Sequence, residues 1–369
     1  MRWITLIIYM SLAFSSCHRR PLTYAYSTTV EVVINADWSN LSETPTGMSV
    51  YCYPESGEAP TVTIANINST ESSISVNLSA GNYTVLVFNQ IPSDFGTILF
   101  SGMDSYETAE INAVSTTSSW AESKESSSLI RDPEELAAAT YLDLEVPEEV
   151  VNEFNQLRSS EEDLSPEALI YKTIDVTPKV VIKNTRVRVR ITGIYNYRSA
   201  RATLYGMASG YNFSEQASHS TMSTHVMESW SSTVYEEDYR EGEIVTVFSC
   251  FGLPAQSTAT RSTDYSNWPG QMDIDILLVD NSTIVSESVS LCDKITTSSD
   301  GDSKSEDSDV DVNLDVSVDI NIDSGYGLDD DDDDTPIVLP DVLPEGGSTS
   351  GFDADVEDWG EEEGYDLQI

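Results

Sequence analysis

Short runs in which every second residue is apolar recur along most of this chain, and no long helical period interrupts them. This periodicity constrains the fold more than any other feature. Side chains alternate faces on an extended strand but repeat every 3.6 residues on a helix. Val30, Val32 and Ile34 open the first run, which closes at Asp37-Trp38. Runs at 48–53, 62–67, 74–78, 83–88 and 98–100 follow, each bounded by Gly, Pro, Asn or Ser. Ala80-Gly81-Asn82 between two of them is a tight hairpin signal, because Gly and Asn tolerate positive φ. Six short strands at this spacing predict a β-sandwich.

A second β block begins at Ile174. Its first long strand places Arg186, Arg188 and Arg190 on one face and Val187, Val189 and Ile191 on the other. This is the only basic stripe in the sequence, and acidic side chains on neighbouring strands are its expected partners. Further strands are expected at 202–207, 244–251, 272–279 and 283–290. Between the blocks, Asp132-Pro133-Glu134-Glu135-Leu136 combines an N-cap, a proline at the first helical position and acids in the first turn. The same grammar recurs at 147–157 and at Ser165-Pro166-Glu167, predicting up to three short helices.

The 369 residues suffice for two domains of ordinary size. The expected organisation is a signal peptide at 1–16, a lipid anchor and tether at 17–27, and a first β-sandwich at 28–130. A short helical connector at 131–172 leads to a second β-sandwich at 173–323. An acidic linker at 324–350 and an acidic C-terminal segment at 351–369 complete the chain.

Charge narrows the partners. Acidic residues number 63 against 18 basic, a formal charge of −45. Phosphates would be repelled over the whole surface, which argues against nucleic acid. Residues 21–123 contain no Lys or Arg at all. Residues 293–369 hold 26 acids and two lysines. Within them, Val310, Val312, Leu314, Val316, Val318, Ile320 and Ile322 alternate with Asp, Asn or Ser, predicting a last long strand over 310–322. Six consecutive aspartates at 329–334, then Pro336, Pro340 and Pro344, argue against compact structure beyond it. Weak calcium screening of this tail is expected. Asp307, Asp309 and Asp311 match the opening of an EF-hand loop, but its glycine position is Val312 and its glutamate position is Val318.

At the N-terminus, Arg2 precedes an apolar stretch from Trp3 to Phe14, and Ser15-Ser16-Cys17 follows. A charged front, a short apolar core and small residues form an export signal. The cysteine after two small residues resembles a bacterial lipobox, with Phe14 where Leu is usual. Acylated Cys17 would hold the protein to a membrane, each buried methylene adding about 0.8 kcal/mol. Cys52, Cys250 and Cys292 then remain. Cys250–Cys292 is the one pair expected within a single domain, and their apolar contexts favour two buried free thiols instead.

No catalytic constellation emerges. Gly206-Met207-Ala208-Ser209-Gly210 has its serine one place late for a nucleophile elbow, with no helix after it. His219 and His225 lie among Ser and Thr with no neighbouring nucleophile or metal partner. No cofactor or metal is expected, and an exported hydrolase is the least favoured class.

Several short motifs in order carry a resemblance. They are Cys17, the first strand ending Asp37-Trp38, Pro45-Thr46-Gly47-Met48-Ser49-Val50-Tyr51-Cys52-Tyr53-Pro54, Leu78-Ser79-Ala80-Gly81-Asn82-Tyr83, residues 186–193 and residues 202–212. As a set they resemble the fimbrillin-like lipoproteins of Bacteroidetes-type bacteria, in a branch labelled a domain of unknown function. The resemblance implies an all-β chain of two tandem transthyretin-like sandwiches on an outer-membrane lipid anchor, facing the cell exterior. It also implies assembly with other fimbrillin-like subunits by donation of a strand. Family stalk subunits are cut after an arginine near their first strands, and residues 21–123 offer none. The implied role is an anchored or accessory subunit in adhesion or fimbrial assembly. The alternative is a surface module that binds a glycan or host ligand without polymerising. Tyr211, Trp230, Tyr235, Tyr265 and Trp268, with Phe213 and Tyr239 beside them, are its candidate contact aromatics; core packing is the ordinary role of such residues.

Overall fold

A computed structural model of the chain describes residues 28–118, 120–121, 128–159, 165, 169–255, 268–291, 295–298, 317–322 and 336–344. In chain order the strands begin with β1 (Thr29–Asp37), β2 (Gly47–Pro54), β3 (Thr61–Asn66), β4 (Glu71–Ser79) and β5 (Gly81–Asn89). Next come β6 (Ile98–Ser101), β7 (Glu110–Ala113), β8 (Leu129–Ile130) and β9 (Ala137–Val146). A single α-helix among the described residues, α1 (Glu148–Ser159), precedes β10 (Ile170–Val176), β11 (Lys179–Val180), β12 (Lys183–Thr192) and β13 (Tyr197–Ala208). Then follow β14 (Gly210–Asn212), β15 (Ala217–Ser218), β16 (Met222–Met227), β17 (Ser231–Val234) and β18 (Glu241–Cys250). The last strands are β19 (Gln271–Leu278), β20 (Ile284–Ser290), β21 (Ile295–Ser298), β22 (Ser317–Ile322) and β23 (Ile337–Val338). The protein is all-β, as its alternation predicts.

Two compact units divide the chain. The first gathers residues up to 94, 102–109 and 136–180; the second gathers 95–101, 110–135 and everything from 181. The expected first block, 28–130, is therefore shared between them. The cause is long-range pairing. β6 and β7 form a hairpin whose β7 pairs with β14, Tyr211 opposite Ile111, and no local pattern announces that partner.

In the first unit, one sheet has the order β10-β1-β4 and the other β11-β9-β5-β2-β3. β1 runs antiparallel to β4 from Thr29 opposite Ser79 to Asp37 opposite Glu71, and parallel to β10. Its Val30, Val32, Ile34 and Ala36 all point inward. They meet Met48, Val50 and Cys52 of β2 and Val85 and Val87 of β5 in one core, so the two sheets enclose it. Each such aliphatic side chain contributes roughly 1.5–3 kcal/mol when fully buried.

The helical connector expected at 131–172 is corrected here. Only α1 follows the predicted grammar, with Glu148 and Glu149 in its first turn. Residues 132–136 form no helix, and Ala137–Val146 is strand β9, paired with β5. The alanines at 137–139 favour helix locally. Burial of Leu136, Ala137, Leu144 and Val146 outweighs that preference of a few tenths of a kcal/mol per residue. Asn89 Oδ1 also accepts the Ala137 N–H at 2.8 Å, fixing the start of the strand. The site around 165–167 lies largely outside the described residues.

In the second unit, β17-β18-β12-β22-β21 form one sheet and β20-β19-β13-β16-β8 a second; β15-β14-β7-β6 form a third. Val187, Val189 and Ile191 of β12 share a core with Leu204 of β13, Ile244 of β18 and Ile274 and Ile276 of β19. The elbow-like Gly206 sits at a bulge of β13 with φ +112, where a Cβ would stand 2.9 Å from the Trp268 ring. Glycine there makes room for an indole and builds no catalytic turn.

The tail departs from expectation in one respect. Ser317–Ile322 is a strand as predicted, while 310–316, the aspartate run and 351–369 lie outside the described residues. Residues 336–344, read as part of a linker without compact structure, pack instead. Ile337 and Leu339 are buried in the second core. Prolines at 336, 340 and 344 leave the alternation of Ile337, Val338 and Leu339 intact, and a short strand between prolines suits a sheet edge.

Candidate strand-exchange site

Strand β12 organises the site. Thr185, Val187, Val189 and Ile191 point inward, and Arg186, Arg188 and Arg190 alternate with them. On one side β12 pairs antiparallel with β18 along its whole length, from Lys183 opposite Cys250 to Thr192 opposite Glu241. Arg188 Nε lies 3.2 Å from Glu243 Oε2, so the basic stripe meets an acid on the neighbouring strand, as expected.

The other side of β12 is covered differently. Two C-terminal segments share it, both parallel to β12. β22 registers with four residues, Arg186 opposite Asp319, Val187 opposite Ile320, Arg188 opposite Asn321 and Val189 opposite Ile322. β23 registers with two, Ile191 opposite Ile337 and Thr192 opposite Val338. The register aligns apolar with apolar positions and the basic stripe with the polar positions of the acidic tail.

Beyond β23 the chain continues as a strap. Leu339 N–H donates to the Thr192 carbonyl at 2.8 Å. Gly193 has φ +84, and a Cβ on it would meet the Leu339 carbonyl oxygen at 2.7 Å. Asp341 accepts from the Tyr195 hydroxyl and, at 3.3 Å, from Asn196 Nδ2. These hydrogen bonds, Tyr195's first, hold the Asp341 carboxyl below its ordinary pKa. Main-chain pairing plus alternate side chains in pockets is the chemistry of a peptide added to a sheet edge. Among the described residues six positions of β12 pair with these segments, and β22 pairs on its other side with β21.

Among the described residues the first unit also ends in an unpaired edge. β3 is the last strand of its sheet, contains no charged residue, and leaves Val62 and Ile64 44% and 43% exposed. Such an edge, without lysine or bulge, invites pairing.

The sequence-predicted aromatics are dispersed. Tyr211, half-buried on β14, meets Phe213 edge-on at 6.0 Å. Trp230 packs on the second core and donates Nε1–H to the Met227 carbonyl at 3.2 Å. Trp268 is buried and donates to the Gly206 carbonyl at 2.7 Å. Tyr235 is half-buried, with its hydroxyl donating to Glu243 at 3.4 Å; burial, then the Glu243 charge, raises its pKa. Tyr265, like Cys17 and Cys292, lies outside the described residues. Sequence reasoning missed Tyr195, whose signal was its place directly after the Gly193-Ile194 turn.

His219 and His225 each lie against a carboxylate. His219 Nε2 lies 3.3 Å from Glu110, and buried His225 places Nδ1 3.3 Å from Asp132. Burial pushes the Cys52 thiol up to about 12 and Cys250 to about 11, so both are protonated and inert near neutrality. Both thiols are free.

No curated protein matches the chain. A candidate adhesin from Bacteroides ovatus superimposes with a TM-score of 0.50 at 18% identity, over 75% of this chain and 87% of that one. It shares the fold. A candidate adhesin from Bacteroides thetaiotaomicron aligns at 0.42 and 9% identity, over 71% of this chain and 79% of that one. The fimbrial anchor protein Mfa2 from Porphyromonas gingivalis aligns at 0.36 and 13% identity, covering 67% and 77%. Residues 16–228 match the family model DUF5119, a domain of unknown function. Since that match spans more than half of its length, the chain belongs to the DUF5119 family.

Proposed function

We propose that this protein is a non-enzymatic, lipid-anchored cell-surface subunit, held by Cys17 and acting in adhesion or fimbrial assembly by strand exchange. The observation that carries the reading is the cover of β12, made among the described residues of two short parallel segments with four and two registered residues. A partner strand that pairs along all of β12 would gain hydrogen bonds these segments do not make. The absence of Lys and Arg from 21–123 supports an anchored or accessory subunit over a stalk subunit cut near its start. The shared fold of the Bacteroides ovatus candidate adhesin supports the same class.

The test is exchange in trans. A biotinylated peptide of residues 336–344, incubated with the full-length protein, should be retained slowly and saturably. Unlabelled peptide present from the start should prevent it. No retention after prolonged incubation would contradict a replaceable cover.

A further inference from the structure

Two tyrosine rings stand exposed at one end of the second unit. Tyr195 is 41% and Tyr239 70% exposed, with ring centroids 6.0 Å apart and planes inclined by 45°. Exposing aromatic rings forgoes the burial they favour, and two in contact form a continuous apolar surface. Hydrogen-bonding groups surround that surface. Asp341 accepts from the Tyr195 hydroxyl and from Asn196, and Arg240 stands within electrostatic reach of both tyrosines and Asp341.

The support is rigid. The Arg240 carbonyl accepts from Gly193 N at 2.6 Å and Ile194 N at 3.1 Å, tying the turn that carries Tyr195 to the hairpin that carries Tyr239. Asp238 caps that hairpin, its Oδ1 accepting Arg240 N at 2.9 Å and its carbonyl accepting Glu241 N at 3.0 Å. The strap supplies Asp341. Three separate segments thus present two rings with a polar border, held before any ligand arrives.

Charge selects among ligands. The whole chain carries −45 and repels an anion at long range. Beside the rings the opposite charges of Arg240 and Asp341 offset each other, so the border itself favours neither an anion nor a cation. What remains is a neutral ligand with an apolar face and a rim of donors and acceptors, which describes a sugar ring. We propose that Tyr195 and Tyr239, with Arg240 and Asp341, bind a neutral hexose or pentose unit of a glycan. The tyrosines and Arg240 lie outside the β12 cover, while Asp341 is carried by the strap, so displacing that strap would remove one of the four groups.

Calorimetric titration of the full-length protein with cellohexaose, mannohexaose, xylohexaose and maltohexaose tests it. At least one should bind. Tyr239→Ala should weaken that binding about tenfold, the scale of one lost interface anchor. Tyr239→Phe, which keeps the ring, should retain most of it, and both variants should melt like the parent. Three results would overturn the site: none of the four sugars binds, binding survives Tyr195→Ala and Tyr239→Ala unchanged, or oligolysine or polygalacturonate binds the tyrosines in preference to the neutral sugars.

Discussion

The carbonyl oxygen of Leu339 lies 2.7 Å from the point where a side chain on Gly193 would begin. The strap therefore needs glycine there twice over, for the contact and for φ +84. Gly193→Ala should loosen the strap and cost about 1–3 kcal/mol. Hydrogen exchange at the Leu339 amide, which donates to Thr192, should quicken in the variant. Unchanged exchange there would mean the strap tolerates the side chain.

How much of this was legible beforehand depended on the range of the contacts. β1 was legible because its alternation is unbroken and both faces of the pattern are realised. β9 was not, because three alanines mask a strand whose reason lies in its pairing with β5. The strap was read as linker because its prolines and neighbouring aspartates are local signals, while the burial of Ile337 and Leu339 is not. The same holds at the site. The basic stripe of β12 was visible in sequence, and its alignment with the acidic tail required the register. Trp268 read as a contact aromatic because nothing local reveals that Gly206 makes room for it.

Asp275 is the most heavily engaged buried carboxylate described. It accepts Trp120 Nε1–H at 2.6 Å and Ser286 Oγ–H at 2.7 Å, and lies 3.6 Å from an Arg201 nitrogen. Asp275→Ala removes an acceptor from the indole and a counter-charge from the guanidinium. A loss of about 2–4 kcal/mol is expected in urea unfolding. A loss under about 0.5 kcal/mol would show that the network contributes little.

Stability should fall in alkali. Burial raises Cys52 to about 12 and Cys250 to about 11 from an ordinary 9.0, and raises Tyr53 as well. The folded chain holds these protons more tightly than the unfolded chain does. Their stabilisation is complete below about pH 9 and is lost as pH rises through the folded values. The urea midpoint should drop between about pH 9 and pH 11. A midpoint that rises over this window would contradict the burial of these groups.

Cys17→Ser removes the proposed acyl acceptor. The variant, expressed in its native cell, should move from the membrane fraction to the soluble one. Unchanged membrane partition would show that something other than lipid on Cys17 holds the protein.

The central claim is that the C-terminal cover of β12 gives way to a partner strand in an assembly. Purification of the full-length protein in detergent from its native cells, followed by electrophoresis before and after boiling, tests it most directly. A complex with other fimbrillin-like chains that survives detergent and separates only on boiling is the predicted result. Recovery of a lone monomer under both conditions would contradict it.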